Sequence, residues 1–239
     1  MKPMKTALAT LPALFLGTAA FADFTVPAGS VLQLLYLDLK HGQHDAYFND
    51  YARPLDPVVA EHGGVWHAVF DVIGVHEGNL KPDYVSMIAW PSTEAFRTFL
   101  SDPRVQENAA IRDGAVREMK FALHDVPAPI EIDTTTKGKV YEFFGGNMAS
   151  PDSPKMLGTF FQNVIPTALT YGRETLAELP PSNFDKDTFE HQVSGIAGWP
   201  TAAEFNQFVT TEVFQANIKE LRDPAINDLF LINTMVSDR

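Results

Sequence analysis

The chain has 239 residues, of which 45% are hydrophobic, and its formal net charge is −12 at pH 7. It contains no cysteine, which excludes thiolate catalysis, cysteine-ligated zinc and iron–sulfur clusters. The acidic balance argues against binding to nucleic acid or to anionic membrane surfaces, because both need basic side chains.

Residues 1–22 have the pattern of a secretory signal peptide. Two lysines precede an apolar run, and the run ends in Ala20-Phe21-Ala22, the small-x-small form that signal peptidase cleaves. The run is shorter than the roughly 20 residues that a membrane-spanning helix requires. We therefore expect a soluble periplasmic or secreted protein, with no membrane insertion after cleavage.

Residues 23–126 are predicted to form a first ferredoxin-like unit. Apolar density and alternation predict strands at 31–39, 65–75, 84–89 and 116–126, and helical periodicity predicts helices at 44–61 and 92–114. Ser92 has the residue type of a helix N-cap, and Asp102-Pro103 interrupts the second helix. The order strand, helix, strand, strand, helix, strand is that of the ferredoxin-like unit.

Residues 138–239 repeat this order after a linker at 127–137. Strands are predicted at 138–144, 170–179, 188–197 and 227–236, and helices at 153–167 and 201–221. Pro166 is expected to end or kink the first of these helices.

The two halves also share a sequence motif. The segment 85–96 returns as 193–205, and its tryptophan, Trp90, recurs 109 residues later as Trp199. The match continues in four further pairs: Phe99 and Phe208, Gln106 and Gln215, Asn108 and Asn217, and Arg112 and Arg222. Two copies of this length indicate a duplicated domain. The predicted fold class is α+β, with two tandem βαββαβ units packed sheet to sheet as a pseudo-dimeric α/β barrel.

The run Trp-Pro-Ser-x-Glu-Ala-Phe from Trp90, followed by Asp102-Pro103-x-x-Gln106 and Arg112, resembles the dimeric α/β-barrel superfamily. That superfamily includes the antibiotic-biosynthesis monooxygenases and the NIPSNAP-like proteins. Its members are usually single units that dimerise, so the resemblance implies a fused pair with an internal dimer interface, which can assemble further into homo-oligomers. Because the superfamily holds cofactor-free oxygenases, isomerases and cyclases, haem proteins and proteins without known activity, the resemblance implies a fold and not a reaction.

His67 and Asp71 are the candidate catalytic residues. Alternation along the strand at 65–75 places both on one face of the sheet. A histidine beside a carboxylate can act as a general base near neutral pH. The alternative is a hydrogen-bonded histidine at a strand edge. Six of the seven histidines lie in the first half, which indicates either one active half or drift after duplication.

The histidines also allow two metal-containing alternatives. His41 and His44 form a His-x-x-His pattern that can ligate a divalent metal, although a solvated loop also explains it. A haem would need one axial histidine in an apolar pocket, for which His67 and His191 are the candidates. A protein without a cofactor is the expectation.

Four residues are predicted to bind a ligand: Tyr36, Tyr141, Arg173 and His191. The tyrosines are predicted at matching positions on the first strand of each half, although such tyrosines also pack as core residues. Arg173 can bind a ligand carboxylate, or it can pair with a neighbouring acid such as Glu174 or Glu178.

These patterns favour an exported protein that binds a small apolar or aromatic molecule. If it is an enzyme, a cofactor-independent oxygenase (monooxygenase), isomerase or cyclase is expected. The alternatives are a non-catalytic ligand-binding or stress-associated module and, third, a haem or metal protein.

Overall fold

A computed structural model describes residues 23–185 and 188–238, so the predicted signal peptide at 1–22 lies outside the described residues. The strands are β1 Phe24–Val26, β2 Val31–Leu39, β3 Val65–Glu77, β4 Tyr84–Trp90, β5 Val116–Asp125, β6 Ile130–Ile132, β7 Val140–Met148, β8 Glu174–Glu178, β9 Val193–Trp199 and β10 Ile226–Val236. The α-helices are α1 Arg53–Glu61, α2 Thr93–Leu100, α3 Pro103–Glu107, α4 Ala109–Ala115, α5 Ser153–Thr170, α6 Ala202–Val209, α7 Glu212–Asn217 and α8 Asp223–Ala225, with π-helical segments at Ala46–Ala52 and Ile218–Arg222.

Eight strands form one antiparallel sheet in the order β5-β2-β4-β3-β10-β7-β9-β8. Each half contributes four strands to this sheet. When those four are numbered in chain order, both halves have the same spatial order: fourth, first, third, second. Where two separate sheets were expected, β3 and β10 pair and make the sheet continuous. The sheet curls until its edges meet, since Ser182 N donates to Leu123 O at 3.0 Å and Phe189 N donates to Phe121 O at 2.8 Å.

The interior of the curled sheet is an apolar core. Leu32, Phe70, Phe143 and Ile196 are among the fully buried side chains that fill it. β1 and β6 form a separate two-stranded sheet whose valine and isoleucine side chains join the same core. β6 lies in the segment that was predicted to be only a linker, because a three-residue strand is too short to produce a recognisable alternation.

The repeated residues beyond the two tryptophans hold helix ends in both halves. The side-chain amides of Gln106 and Gln215 donate to backbone carbonyls six residues earlier, at 2.7 and 2.6 Å. Those of Asn108 and Asn217 donate to carbonyls four residues earlier, at 2.8 and 2.7 Å. The sequence motif therefore corresponds to the same local hydrogen bonds in each half.

The second half departs from prediction around α5. The helix continues past Pro166 to Thr170, so Pro166 does not end it, which was one of the two expected outcomes. A buried face that includes Phe160, Val164 and Ala168 runs through this point, and packing of that face outweighs the one backbone hydrogen bond that a proline removes. Consequently the next strand begins at Glu174 and not at Thr170. The following strand also begins later than predicted, with the start of β9. None of the described helices is long and apolar enough to cross a membrane.

Candidate functional site

The candidate site is a cavity in the second half, between the sheet and helices α5, α6 and α7. We call it the Trp199 pocket. Its volume is about 80 Å³. Its walls are mainly apolar and include six phenylalanines: Phe144, Phe160, Phe161, Phe205, Phe208 and Phe214. An apolar cavity with a small number of polar groups is the usual form of a small-molecule site.

The Trp199 pocket adjoins a more open cleft of about 500 Å³. Phe144, Phe161 and Arg173 border both spaces, while Gln192 and Ser194 add polar groups to the cleft. Ligand sites in proteins usually have volumes of about 300–1,000 Å³. The enclosed pocket and the cleft together therefore have room for a small ligand.

Glu142 supplies a buried carboxyl group to the pocket. It is the third residue of β7, and its Oε2 accepts a hydrogen bond of 2.7 Å from the indole Nε1 of Trp199. Burial raises the pKa of Glu142, while the positive charge of Arg173, the Trp199 hydrogen bond and the charge of Arg222 act in the opposite direction. The group therefore has an unusually high proton affinity for a glutamate.

Arg173 supplies a buried cation at the junction of pocket and cleft. Its side chain donates to Thr175 Oγ1 at 2.8 Å, and the residue is only 8% exposed. Burial lowers its pKa, and the negative charge of Glu142 partly restores it. Among residues 23–185 and 188–238, no carboxylate forms an ion pair with Arg173. The expected pairing with Glu174 is wrong, because Glu174 binds Lys139 Nζ at 3.1 Å.

Arg222, the other arginine of the pocket, forms ion pairs with two carboxylates of the protein. Its guanidinium donates to Glu77 Oε1 at 2.7 Å and to Asp223 Oδ1 at 2.8 Å. Since Glu77 lies in β3, this contact links the two halves. Arg173 is thus the cation of this pocket whose charge is not matched by an ion pair.

The first half contains a corresponding cavity of about 140 Å³, which we call the Trp90 pocket. Val31 pairs with Trp90 as Val140 pairs with Trp199, so positions correspond at a spacing of 109. Gln33 then takes the place of Glu142, and its Oε1 accepts from Trp90 Nε1 at 2.9 Å. The two pockets share the indole hydrogen bond and differ in the charge of the acceptor.

Gly64 takes the place of Arg173 in the Trp90 pocket. The preceding glycines, Gly63 and Gly172, have φ angles of 77° and 79°, which confirms the correspondence. A Cβ atom on Gly64 would lie 2.7 Å from Trp90 Cζ3 and 2.7 Å from a methyl group of Val59. The first half therefore has no room for a side chain where the second half places an arginine.

Glu142 was missed as a site residue by sequence reasoning, although the repeat contained the necessary signal. Aligning the halves on Trp90 and Trp199 shows a glutamine replaced by a glutamate in an otherwise apolar strand. Two positions that differ in charge within a matched framework are stronger indicators of a site than residue type alone.

His67 and Asp71 do not share a face of the sheet, which corrects that prediction. A register shift in the pairing of β3 with β4 falls at His67, and such a bulge breaks the alternation. The His67 ring stacks on Phe24 with 4.8 Å between centroids. Asp71 pairs instead with Tyr84 and Met235, whose side chains pack towards the helices.

His67 is enclosed on the other side of the sheet. Its Nε2 is buried without a hydrogen-bond partner among the described atoms, and burial lowers the pKa of His67. Its catalytic role stays a prediction, now without Asp71 as its partner.

Tyr36 and Tyr141 both point into the core of the curled sheet, but they do not occupy matching positions. The 109-residue correspondence pairs Tyr36 with Gly145 and Tyr141 with Leu32, so the predicted match is wrong by four residues. An offset of four preserves the face of a strand, which explains why both still point inward.

The two tyrosines lie outside the Trp199 pocket. Tyr36 makes edge contacts with Phe189 and Phe230 at 5.4 and 5.5 Å. The Tyr141 hydroxyl donates to the carbonyl of Asp133. Burial raises the pKa of both hydroxyls far above the usual range, as expected for packed core residues.

His41 and His44 are not assembled as a metal site. His44 Nδ1 lies 2.8 Å from the Tyr84 hydroxyl, and His41 is exposed. In the described part of the chain, no three or more His, Cys, Asp or Glu side chains lie close enough together to hold a metal ion.

His191 lies apart from the Trp199 pocket. It is buried against Phe189 and Phe230, at centroid distances of 4.5 and 5.1 Å, and borders a different cavity of about 430 Å³. Burial lowers the pKa of His191. No His, Met, Cys or Tyr is among the described residues that line the Trp199 pocket, so its residues do not fit the axial ligation of a haem.

Comparisons with known proteins agree with this architecture. A family model described as a domain of unknown function, DUF1330, matches residues 37–124. A search of curated proteins finds no match. A mutant chlorite dismutase from Candidatus Nitrospira defluvii, in complex with cyanide, aligns over 88% of this chain and 91% of its own, with 10% identity and a TM-score of 0.55.

Two further solved structures are similar. An anthrone oxidase-like protein aligns over 90% of this chain and 94% of its own, with 11% identity and a TM-score of 0.52. A protein of unknown function from Rhodopseudomonas palustris covers 40% of this chain and 80% of its own, with 23% identity and a TM-score of 0.36. At these identities the two structures with TM-scores above 0.5 show the fold alone, which is a ferredoxin-like α/β fold.

Proposed function

We propose that the protein binds a small molecule with an apolar or aromatic body and an anionic group. The Trp199 pocket and its cleft would hold the body, and Arg173 would bind the anion. The observation that carries the proposal is the buried guanidinium of Arg173, which borders both spaces and has no ion-pair partner among the described residues. Burying an unpaired charge is costly, and an anionic ligand would supply the missing partner through charge-assisted hydrogen bonds.

The walls of the pocket define the remainder of the ligand. Six phenylalanines and Trp199 present aromatic faces and edges, which favour an aromatic or planar apolar body. Formation of this complex is the first step for either alternative, a cofactor-independent enzyme or a non-catalytic binding module.

The tandem organisation is part of the same proposal. Matching strand orders, matching helix-end hydrogen bonds and matching tryptophan contacts support an ancestral duplication with an internal dimer-like interface. In this account the second copy acquired the ligand site.

Export to the periplasm or the medium is proposed from the residue pattern at 1–22. Intact mass spectrometry of protein expressed with its leader tests this proposal. The expected mass corresponds to a chain that begins at Asp23, and retention of the leader would contradict export by cleavage.

The binding proposal is tested by isothermal titration calorimetry with 2-naphthoate and with the uncharged 2-naphthylmethanol. Hydrogen bonds to charged groups contribute about 1.5–3 kcal/mol, so Arg173→Gln should weaken binding of 2-naphthoate about 10- to 100-fold. The alcohol should bind weakly to both proteins. Arg112→Gln, which changes the cation of the Trp90 pocket, is the matched control and should leave affinity unchanged. An equal loss of 2-naphthoate affinity in Arg173→Gln and Arg112→Gln, or no loss in Arg173→Gln, would overturn the proposal.

A further inference from the structure

The hydrogen bond to Trp199 does not require a carboxyl group at Glu142. In the Trp90 pocket the neutral Gln33 accepts the same indole hydrogen bond, at 2.9 Å compared with 2.7 Å for Glu142. An amide oxygen therefore satisfies a buried tryptophan at this position of the fold. A buried carboxylate adds a desolvation cost that the amide avoids, so the carboxylate has a purpose other than holding Trp199.

The placement of Glu142 indicates that purpose. Glu142 and Arg173 border the same enclosed space and are not joined by an ion pair. The negative charge of Glu142 is close enough to affect Arg173, and the reverse holds. A ligand in this space would therefore meet both a cation and a proton acceptor in its walls.

We propose that Glu142 is a catalytic base that moves a proton within a ligand whose carboxylate is bound by Arg173. This inference rests on the proposed function and extends it to a substrate class: small aryl-substituted carboxylic acids with an enolisable carbonyl group. The reaction class is tautomerisation, a form of isomerisation.

The step is balanced without a cofactor. The Glu142 carboxylate takes a proton from the carbon next to the ligand carbonyl, and the electrons of the broken C–H bond form the C=C bond of an enolate. Negative charge develops on the carbonyl oxygen, near the positive charge of Arg173. The protonated Glu142 then returns its proton to that oxygen, so the enol forms, no electron leaves the ligand and Glu142 is restored.

The surroundings of Glu142 suit a base. Trp199 on β9 donates to Oε2, Arg173 precedes β8, and Arg222 faces the pocket from the π-helical segment while paired with Glu77 and Asp223. Burial raises the pKa of Glu142, which brings it closer to the operating pH, where general bases work best. Activity should therefore rise with pH through the Glu142 pKa.

The test uses phenylpyruvate, which has an aromatic body, a carboxylate and an enolisable ketone. Wild-type protein should accelerate its enolisation, measured by ultraviolet absorbance and by deuterium incorporation at the benzylic carbon in D₂O. Glu142→Gln should lower this rate at least 100-fold and change phenylpyruvate affinity by less than about 3-fold, as expected for removal of a general base. Gln33 at the corresponding position indicates that the fold accepts this variant, and circular dichroism checks it.

The possible failures are distinguishable. Binding of phenylpyruvate by wild-type protein without enolisation, or full activity in Glu142→Gln, would overturn the catalytic inference and leave the binding proposal in place. Absence of binding to wild-type protein would overturn both. Gln33→Glu, which adds a carboxyl to the Trp90 pocket where no arginine corresponds to Arg173, should not increase the rate. An increase would show that Arg173 is not needed.

Discussion

The Trp90 and Trp199 pockets are two versions of one structure. In each, a tryptophan at the end of a strand donates its indole hydrogen to the third residue of a neighbouring strand, and two phenylalanines of the following helix pack on the indole. The enclosed space is larger in the first half, about 140 Å³ compared with 80 Å³. Size therefore does not make the second pocket the better candidate site.

Charge and access distinguish the two pockets. Glu142 and Arg173 replace Gln33 and Gly64, and the second pocket continues into a cleft of about 500 Å³. In the first half, the same framework has a neutral acceptor and a glycine at these two positions. The carboxyl and the guanidinium that the second half has instead are available for function.

The largest expected effect tests the shared part of the comparison. Trp90→Ala and Trp199→Ala should each lower the free energy of unfolding by about 3–5 kcal/mol, the usual cost of removing a buried tryptophan side chain. The loss should be greater for Trp199→Ala, because it leaves a buried carboxyl without its donor. Urea denaturation at pH 7 measures both. A small effect at either site would show that the pockets do not share this role.

A second, intermediate effect tests the difference at Gly64. Gly64→Ala should destabilise the protein by about 1–3 kcal/mol, since its Cβ would lie 2.7 Å from both Trp90 and Val59. Arg173→Ala should be neutral or stabilising, because it removes a buried cation that lacks an ion pair. The same denaturation experiment measures both variants, and tolerance of Gly64→Ala would contradict the conclusion that this position has no room for a side chain.

The smallest expected effect is on the pH dependence of stability, and it tests the raised pKa of Glu142. A carboxyl whose pKa is raised on folding from its usual 4.5 binds protons more tightly in the native state, so its contribution to stability is present below pH 4.5 and declines as pH rises. Glu142→Gln should therefore gain stability relative to wild type as pH rises from about 4.5 through the Glu142 pKa. A difference between the two proteins that does not change with pH would contradict a buried, titrating Glu142.

Buried groups that both proteins share, such as His124, also affect the pH dependence of stability, and their effects cancel in the difference between wild type and Glu142→Gln. Burial lowers the pKa of His124 to about 4, so its contribution is present above pH 6.5 and is lost as pH falls towards 4. His124 is present in wild type and in Glu142→Gln, and it lies where the two edges of the sheet meet. Its effect runs opposite to that of Glu142.

Much of the fold followed from local patterns, and the site did not. β2 begins and ends where alternation and apolar density placed it, and Ser92 caps α2 as expected, accepting from Ala95 N at 3.1 Å. The bulge at His67 could not be predicted, because one extra residue in a strand leaves no trace in alternation but reverses every face assignment before it. The continuation of α5 past Pro166 depended on packing from other parts of the chain.

The choice of site residues depended on register. Residue type alone favoured histidines, and the structure places His67, His44 and His191 outside the Trp199 pocket. Arg173 was identified from its residue type, but its burial without an ion pair required the coordinates. Glu142 is recognisable when the two halves are aligned on Trp90 and Trp199, which places it at the position of Gln33, but its residue type alone does not reveal it.

The central claim is that the second pocket, and not the first, binds an anionic apolar ligand. A crystal structure with 6-bromo-2-naphthoate, in which anomalous scattering locates the bromine, tests it most directly. The account predicts bromine density in the Trp199 pocket or its cleft, with the carboxylate within hydrogen-bonding distance of the Arg173 guanidinium. Ligand in the Trp90 pocket or in the cavity beside His191, with Arg173 uncontacted, would contradict it.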